Sequence, residues 1–150
     1  MAHHIRQATA ADLPVILSLY EEARRFMRLS GNPNQWIGGY PDKELLRQDI
    51  VQHRLYVCTE DSGIIAVFCY FQGIDPTYLR IFDGQWLNDA PYGVIHRIAV
   101  SSHGKGIAGR CYDWALTQCD NLRIDTHRDN LPMQRSLEKY GFSRCGIIFL

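Results

Sequence analysis

The sequence predicts an α/β chain: a mixed sheet of about six to seven strands flanked by about four helices, with residues 1–150 forming one domain. Three observations predict it. Segments of strand period and of helix period alternate along the chain. Residues 92–116 read as an apolar strand, a small-residue loop and an amphipathic helix, one directly after another. A further strand, a helix and one or two last strands fit into the residues that follow.

Each element has its own local reason. Residues 5–8 suit a short first strand. Thr9 to Asp12 offer helix-start chemistry, and Pro14 is tolerated in a first turn, where its missing N–H costs no bond. Leu13, Ile16, Leu17, Tyr20, Ala23 and Met27 recur at helical spacing, which predicts an amphipathic helix to about Leu29. Gly31, Pro33, Gly38 and Gly39 break any regular pattern over 30–40, a loop that carries Trp36 and Tyr40. Asp42 caps a second helix with Leu45, Leu46, Ile50 and Val51 inward. Residues 55–59 and 64–71 are two strands joined by the turn Asp61-Ser62-Gly63.

Residues 73–91 mix Pro, Gly, Asp and aromatics and read as a mostly irregular crossing segment. Residues 94–100 are a near-continuous apolar strand interrupted by His96-Arg97. Ile107, Cys111, Trp114 and Ala115 form one stripe of a helix over 106–118. Residues 122–126 are the next strand. Asn130 caps a last helix with Met133, Leu137 and Tyr140 inward, and Gly141 ends it. One or two strands are expected over 142–150.

Composition narrows the function classes. The chain has 16 basic and 16 acidic residues and a net charge of zero, so nothing points to nucleic acid or an anionic membrane. No apolar run reaches membrane-spanning length, and no secretory leader is read. The His3-His4 pair is too short to be read as a tag. Five cysteines, an odd number without a C-x-x-C pair, predict reduced thiols and a cytoplasmic setting; no metal site is read.

The loop after the 94–100 strand is the chemical signal. A small-residue turn opening a helix presents free N–H groups and the positive end of the helix dipole, which together bind phosphate. Gly104, Gly106 and Gly109 match G-x-G-x-x-G, and Asp125 stands where a ribose-binding acid would, so a dinucleotide-binding oxidoreductase fragment is one reading. That fingerprint normally opens a βαβ unit with more strands and helices to come, and here only 25 residues follow Asp125. A Walker-type loop fits less well, because Gly106 and not Ser or Thr follows Lys105.

Strand, HGKGIAG, helix, strand, then Asn130 and a helix ending in Tyr140-Gly141-Phe142 resembles the GNAT superfamily of acetyl-CoA-dependent N-acetyltransferases, most specifically over residues 94–142. The family's loop reads Q/R-x-x-G-x-G/A, matched here by His103-Gly104-Lys105-Gly106-Ile107-Ala108 with His103 in place of the leading Gln or Arg. The resemblance implies a central mixed, mostly antiparallel sheet whose two middle strands part into a V. It implies acetyl-CoA as co-substrate, with its pyrophosphate on the N–H groups of His103 through Gly109. It places the pantetheine arm along Ile98, Ala99 and Val100 as an extra strand, with an oxyanion donor at Val100 or its neighbour, and Asn130 against the same arm. Lys105 and Arg110 are candidates to add charge near the phosphates.

His96 holds the position of the family's frequent Glu base, and a histidine with an ordinary pKa of about 6.5 suits that role. Strict alternation would put His96, Ile98 and Val100 on one face and Arg97 on the other. The family's tyrosine acid falls on Leu137, which cannot donate a proton. Three options stay open: a tyrosine from elsewhere, an unassisted thiolate, or a non-catalytic acyl-CoA-binding domain. Trp36, Tyr40, Tyr78, Trp86 and Tyr92 are the aromatic candidates for the acceptor pocket, and Trp36 and Tyr40 lead them, because a Gly-Pro-rich loop rarely retains two large aromatics for the core alone. The partner is a small-molecule or peptide amine. Dimers are frequent among relatives, so a homodimer is admitted, though no residue specifies its interface.

Overall fold

The structure is a computed structural model that describes residues 4–150, so His3 lies outside it. Along the chain run β1 (His4–Gln7), α1 (Leu13–Leu29), α2 (Lys43–Val51), β2 (Leu55–Glu60), β3 (Gly63–Gln72), β4 (Gly93–Val100), α3 (Ile107–Gln118), β5 (Leu122–Arg123) and α4 (Leu131–Tyr140). The five strands lie in the order β1-β2-β3-β4-β5. All neighbours are antiparallel except β4 and β5.

Helices cover both faces of the sheet, so its central strand is buried on both sides. That explains why β3, GIIAVFCYFQ, reads as a continuous apolar run instead of an alternating one. On one face Val57, Val67 and Ala99 pack with Leu13, Ile16 and Tyr20 of α1 and Leu46 of α2. On the other, Cys58, Ala66 and Phe68 pack with Cys111, Tyr112 and Ala115 of α3. A third cluster joins Tyr78, Tyr92 and Val94, where the crossing segment lies over the sheet.

The caps follow the expected chemistry. Asp42 accepts the Leu45 N–H at 2.9 Å, and Asn130 accepts the Met133 N–H at 3.1 Å. Asp12 accepts the Thr9 N–H at 2.8 Å and pairs with Arg6, which ties β1 to the start of α1. On α2, Leu46 is buried, but Val51 is exposed and not inward as expected.

Three expectations about the strands fail. The sheet has five strands among the described residues, not six or seven. Residues 142–150 form no strand; they make a single bridge, Phe82 to Ile147, with the crossing segment. The apolar run there is real, but Ile148 spends it on the third cluster and Phe149 on the Phe82 ring. β5 also stops at Arg123, short of the expected Thr126. No described helix is long and apolar enough to cross a membrane.

Candidate active site

The site begins where β4 loses its partner. β5 pairs only with Gly93 and Val94, while β4 continues to Val100. Residues beyond that point on both sides, Ile95 to Ile98 on β4 and Ile124 to Thr126 after β5, line one cavity of about 550 Å³. This parting is the V that the resemblance implied.

A bulge shapes β4 at the same place. Cys69 pairs with His96 and Val67 with Ala99, so two residues of β4, Arg97 and Ile98, oppose one of β3. Arg97 takes φ +53°, a left-handed conformation that non-glycine residues rarely adopt. The extra residue resets the alternation. Ile98 and Val100 pack on the α3 side with Ile95, whereas His96 meets Phe71 and Tyr78 on the opposite side. The expected common face for His96, Ile98 and Val100 is therefore corrected.

Arg97 is held from three directions. Its carbonyl accepts the Tyr20 hydroxyl at 2.7 Å, its guanidinium pairs with the buried Asp49 carboxylate, and Nη1 donates to the Tyr40 hydroxyl at 3.3 Å. That last bond fastens the Trp36–Tyr40 loop to the bulge. Trp36 packs edge-on against Tyr20 with ring centroids 5.6 Å apart, and both Trp36 and Tyr40 line the cavity.

His96 sits in the cavity between two carboxylates. Nε2 lies 2.7 Å from Oδ2 of Asp75, and Nδ1 lies 3.6 Å from Oδ1 of Asp125. Asp75 opens the Asp-Pro-Thr turn of the crossing segment, where its Oδ1 accepts both the N–H and the hydroxyl of Thr77. Burial works against the Asp75 charge, but the Thr77 and His96 hydrogen bonds outweigh it and hold the carboxyl below the usual aspartate range. The Tyr78 hydroxyl donates to Oδ1 of Asp125 at 2.6 Å. Burial, then the Asp125 charge, pushes that phenol up, so Tyr78 keeps its proton. Tyr78 was among the aromatic candidates for the acceptor pocket, but its bond to Asp125 was not foreseen; Asp75 was not picked out from sequence, although Asp-Pro-Thr is a turn signature that could have marked it. Asp125 was noticed for another role.

Asn130 also lines the cavity. Its Nδ2 donates to Oε1 of Gln35 at 2.9 Å, and the same oxygen accepts from Asn32. Leu137 lies in the α3-side core and not on the cavity wall. Tyr140, one turn away, donates its hydroxyl to Asp113 and is likewise outside the cavity.

Beyond the cavity the edge of β4 runs on into the loop. Ser101 donates to the Ile65 carbonyl at 2.8 Å. Bonded and non-bonded pairs alternate in an antiparallel ladder, so Val100 turns its N–H away from β3 into the edge that β5 leaves open. Ala99 turns its groups towards Val67.

Among the described residues, no N–H group from Ser102 to Gly109 has a hydrogen-bond acceptor. Gly104 and Gly106 have φ of +77° and +72°, and nothing lies within 4 Å of where a Cβ would stand. The open amides and the open space beside them fit a pyrophosphate group. Lys105 is exposed there. Ile107 and Ala108 turn their side chains into the core and leave only backbone to the loop. His103, which stands at the head of the loop, stacks on Phe26 with centroids 3.8 Å apart, and burial lowers its pKa.

The sheet also removes the dinucleotide reading. A doubly wound dinucleotide fold needs parallel strands on both sides of its first strand, and β4 is antiparallel to β3. Asp125 accepts the Tyr78 hydroxyl and faces His96 Nδ1 at 3.6 Å.

No protein-family model and no curated protein sequence matches the chain. Solved structures do. The aminoglycoside N-acetyltransferase AAC(6')-Iy in complex with CoA has a TM-score of 0.66 at 18% identity, over 99% of this chain and 93% of that one. A GNAT-family acetyltransferase from Listeria monocytogenes 4b F2365 gives 0.71 at 18% identity, over 97% and 88%. At those identities the likeness is one of fold. A GNAT-family acetyltransferase from Streptococcus agalactiae 2603 gives 0.90 at 31% identity, over 99% of this chain and 89% of that one. Identity at that level across nearly the whole of both chains goes beyond a shared architecture, and this chain belongs to the GNAT family of acetyltransferases.

Proposed function

We propose that this chain transfers an acetyl group from acetyl-CoA to the nitrogen of an amine by direct attack, as an N-acetyltransferase. The observation that carries the reading is the open edge of β4, which runs without interruption from the His96 cavity to the unpaired amides of 102–109. Acetyl-CoA, when bound, supplies a thioester carbonyl. The chain's own residues do the rest. His103 through Gly109 hold the pyrophosphate by backbone N–H groups. Ile98 and Val100 guide the arm along the strand edge, with Asn130 and Gln35 opposite. The Val100 N–H serves as the oxyanion donor.

His96 removes the amine proton. Trp36 and Tyr40 hold the acceptor. Leu137 donates nothing, so the thiolate leaves unassisted or takes its proton from the Tyr40 hydroxyl, which faces the cavity. A thiol pKa near 8.5 makes the unassisted route credible. The acceptor is a small molecule or a peptide terminus. The cysteine usage supports a cytoplasmic enzyme, and a homodimer is consistent with the family.

The test is acetyl-CoA-dependent thiol release over a panel of amines. His96→Ala should lower the amine-dependent rate by roughly 10²- to 10⁴-fold and leave CoA affinity nearly unchanged. An unaltered rate would remove His96 from the mechanism. Stoichiometric binding of acetyl-CoA without turnover on any amine would favour a binding domain instead.

A further inference from the structure

The two carboxylates around His96 carry more than a general base. We propose that Asp75 fixes the His96 tautomer so that Nδ1 is the basic nitrogen, and that Asp125 receives the acceptor as an ammonium ion beside it. The acceptors are then amines that bear no carboxylate of their own. This rests on the acetyl-transfer reading above and adds the nitrogen, the anchor and the acceptor class.

The tautomer follows from donor counting. Oδ1 of Asp75 is filled by two donors from Thr77, and Oδ2 lies 2.7 Å from Nε2. A carboxylate only accepts, so Nε2 must carry the ring proton. Asp75 is kept ionised by the same bonds. Nδ1 is 3.6 Å from Asp125, too long for a hydrogen bond, so its lone pair is uncommitted. The imidazole is thus oriented from behind by one carboxylate and faced by another.

The acceptor class follows from charge. An alkylamine, with a pKa near that of lysine at about 10.4, reaches the site as a cation. Among the described residues the charged side chains of the cavity are Asp75, His96, Arg97 and Asp125. Arg97 is spent on Asp49, and Asp75 on Thr77 and His96. Asp125 accepts only the Tyr78 hydroxyl, on Oδ1. An ammonium group meets a carboxylate there; a carboxylate would meet two negative charges and no unpaired cation.

The protons balance. The bound ammonium gives one proton to Nδ1 of His96, and the imidazolium so formed lies between Asp75 and Asp125. The neutral amine attacks the carbonyl; the C–N bond forms and the C–S bond breaks. A second amine proton ends on the leaving thiolate, the third stays on the amide, and His96 returns its proton to water.

The experiment has two arms. In the first, ¹⁵N NMR of the imidazole nitrogens is read on the free protein at a pH where His96 is neutral. Wild type should show the Nε2–H tautomer. In Asp75→Asn the carboxamide N–H₂ replaces an acceptor with a donor towards Nε2, so the ring should switch to Nδ1–H. An Nδ1–H tautomer in wild type, or no switch in the variant, overturns the role of Asp75.

In the second arm, thiol release is compared within matched pairs: tyramine against tyrosine, and agmatine against arginine. The member without the carboxylate should be favoured roughly tenfold or more in kcat/KM, a difference of about 1.4 kcal/mol. Asp125→Asn should raise the KM for the amine and leave the KM for acetyl-CoA unchanged, a split that loss of folding would not give. Equal rates within pairs, preference for the amino acids, or no turnover of either pair by protein that binds acetyl-CoA overturns the acceptor class. Failure to bind acetyl-CoA would instead sink the acetyl-transfer reading and leave the tautomer result standing.

Discussion

Arg97 is a cation in the middle of a sheet, in a backbone conformation that costs of order 1–3 kcal/mol, and the fold retains it. Its position explains the cost: the left-handed residue makes the bulge, and the bulge separates the face of His96 from that of Ile98 and Val100. The strain is met by fixed partners, Tyr20 on the carbonyl and Asp49 and Tyr40 on the guanidinium. Asp49→Ala strands that charge with only the Tyr40 hydroxyl. We expect a loss of about 3–5 kcal/mol, read as a lower urea midpoint. A loss below about 1 kcal/mol would mean that solvent reaches the guanidinium. This was the residue least legible in the sequence. His96-Arg97 was visible as an interruption of an apolar strand, but strict alternation gave the wrong faces, because a bulge depends on the partner strand's register and leaves no local signature. His96, Trp36 and Tyr40 were readable, since each is an unusual residue for its segment. Tyr78 was in view as an aromatic of the crossing segment, but Asp75 and the Tyr78–Asp125 bond were not, because both act only after that segment has folded over β4.

At the scale of elements, the start of α3 is the most demanding piece of backbone. Gly106 is its N-cap at φ +72°, with open space where a side chain would go. Gly106→Val puts a branched side chain into that space and strains the cap. CoA binding by calorimetry should be lost in protein whose circular dichroism is native; normal binding would show that the loop does not hold the phosphates. The junction of β1 and α1 gives a pH test. The Arg6 hydrogen bond holds the Asp12 carboxyl at about 2, below its usual 3.8. A depressed acid pKa stabilises above the unfolded value and stops doing so as pH falls through the folded one. Wild type should therefore lose stability between about pH 4 and pH 2. In Arg6→Ala that part of the acid slope should shrink in a series of urea midpoints, and an unchanged slope would exclude the pair as its cause. Gly84 marks a third contact: a Cβ there would come within 1.8 Å of the Cys145 carbonyl oxygen. Gly84→Ala should release the 143–150 segment from the crossing segment, seen as faster amide exchange at Ile147. Strands were legible wherever the apolar run was long and sheet-bound, as in β3 and β4. The 142–150 run was misread because its apolar residues pack on a loop instead of a sheet edge, and periodicity does not distinguish the two.

At the scale of the whole molecule, the sheet order decides what the glycine loop is for. The same G-x-G-x-x-G spelling, on a parallel doubly wound sheet, would suit a dinucleotide. Here β4 is antiparallel to β3 and parts from β5 after two residue pairs, so the loop stands at the end of an open strand edge with a cavity beside it. Order of elements, lateness of the loop and the Asn130–Phe142 segment made that architecture legible before any coordinates. The parting itself came only from family resemblance, since it is a property of two strands together. Ligand binding should couple to global stability. Acetyl-CoA at about 100 times its dissociation constant should add about 2.7 kcal/mol and raise the melting temperature, and NAD should add nothing. The most direct measurement is a calorimetric titration of the protein with acetyl-CoA and, separately, with NAD. Saturable binding of acetyl-CoA with no heat from NAD is the predicted result; binding of NAD without binding of acetyl-CoA would contradict it.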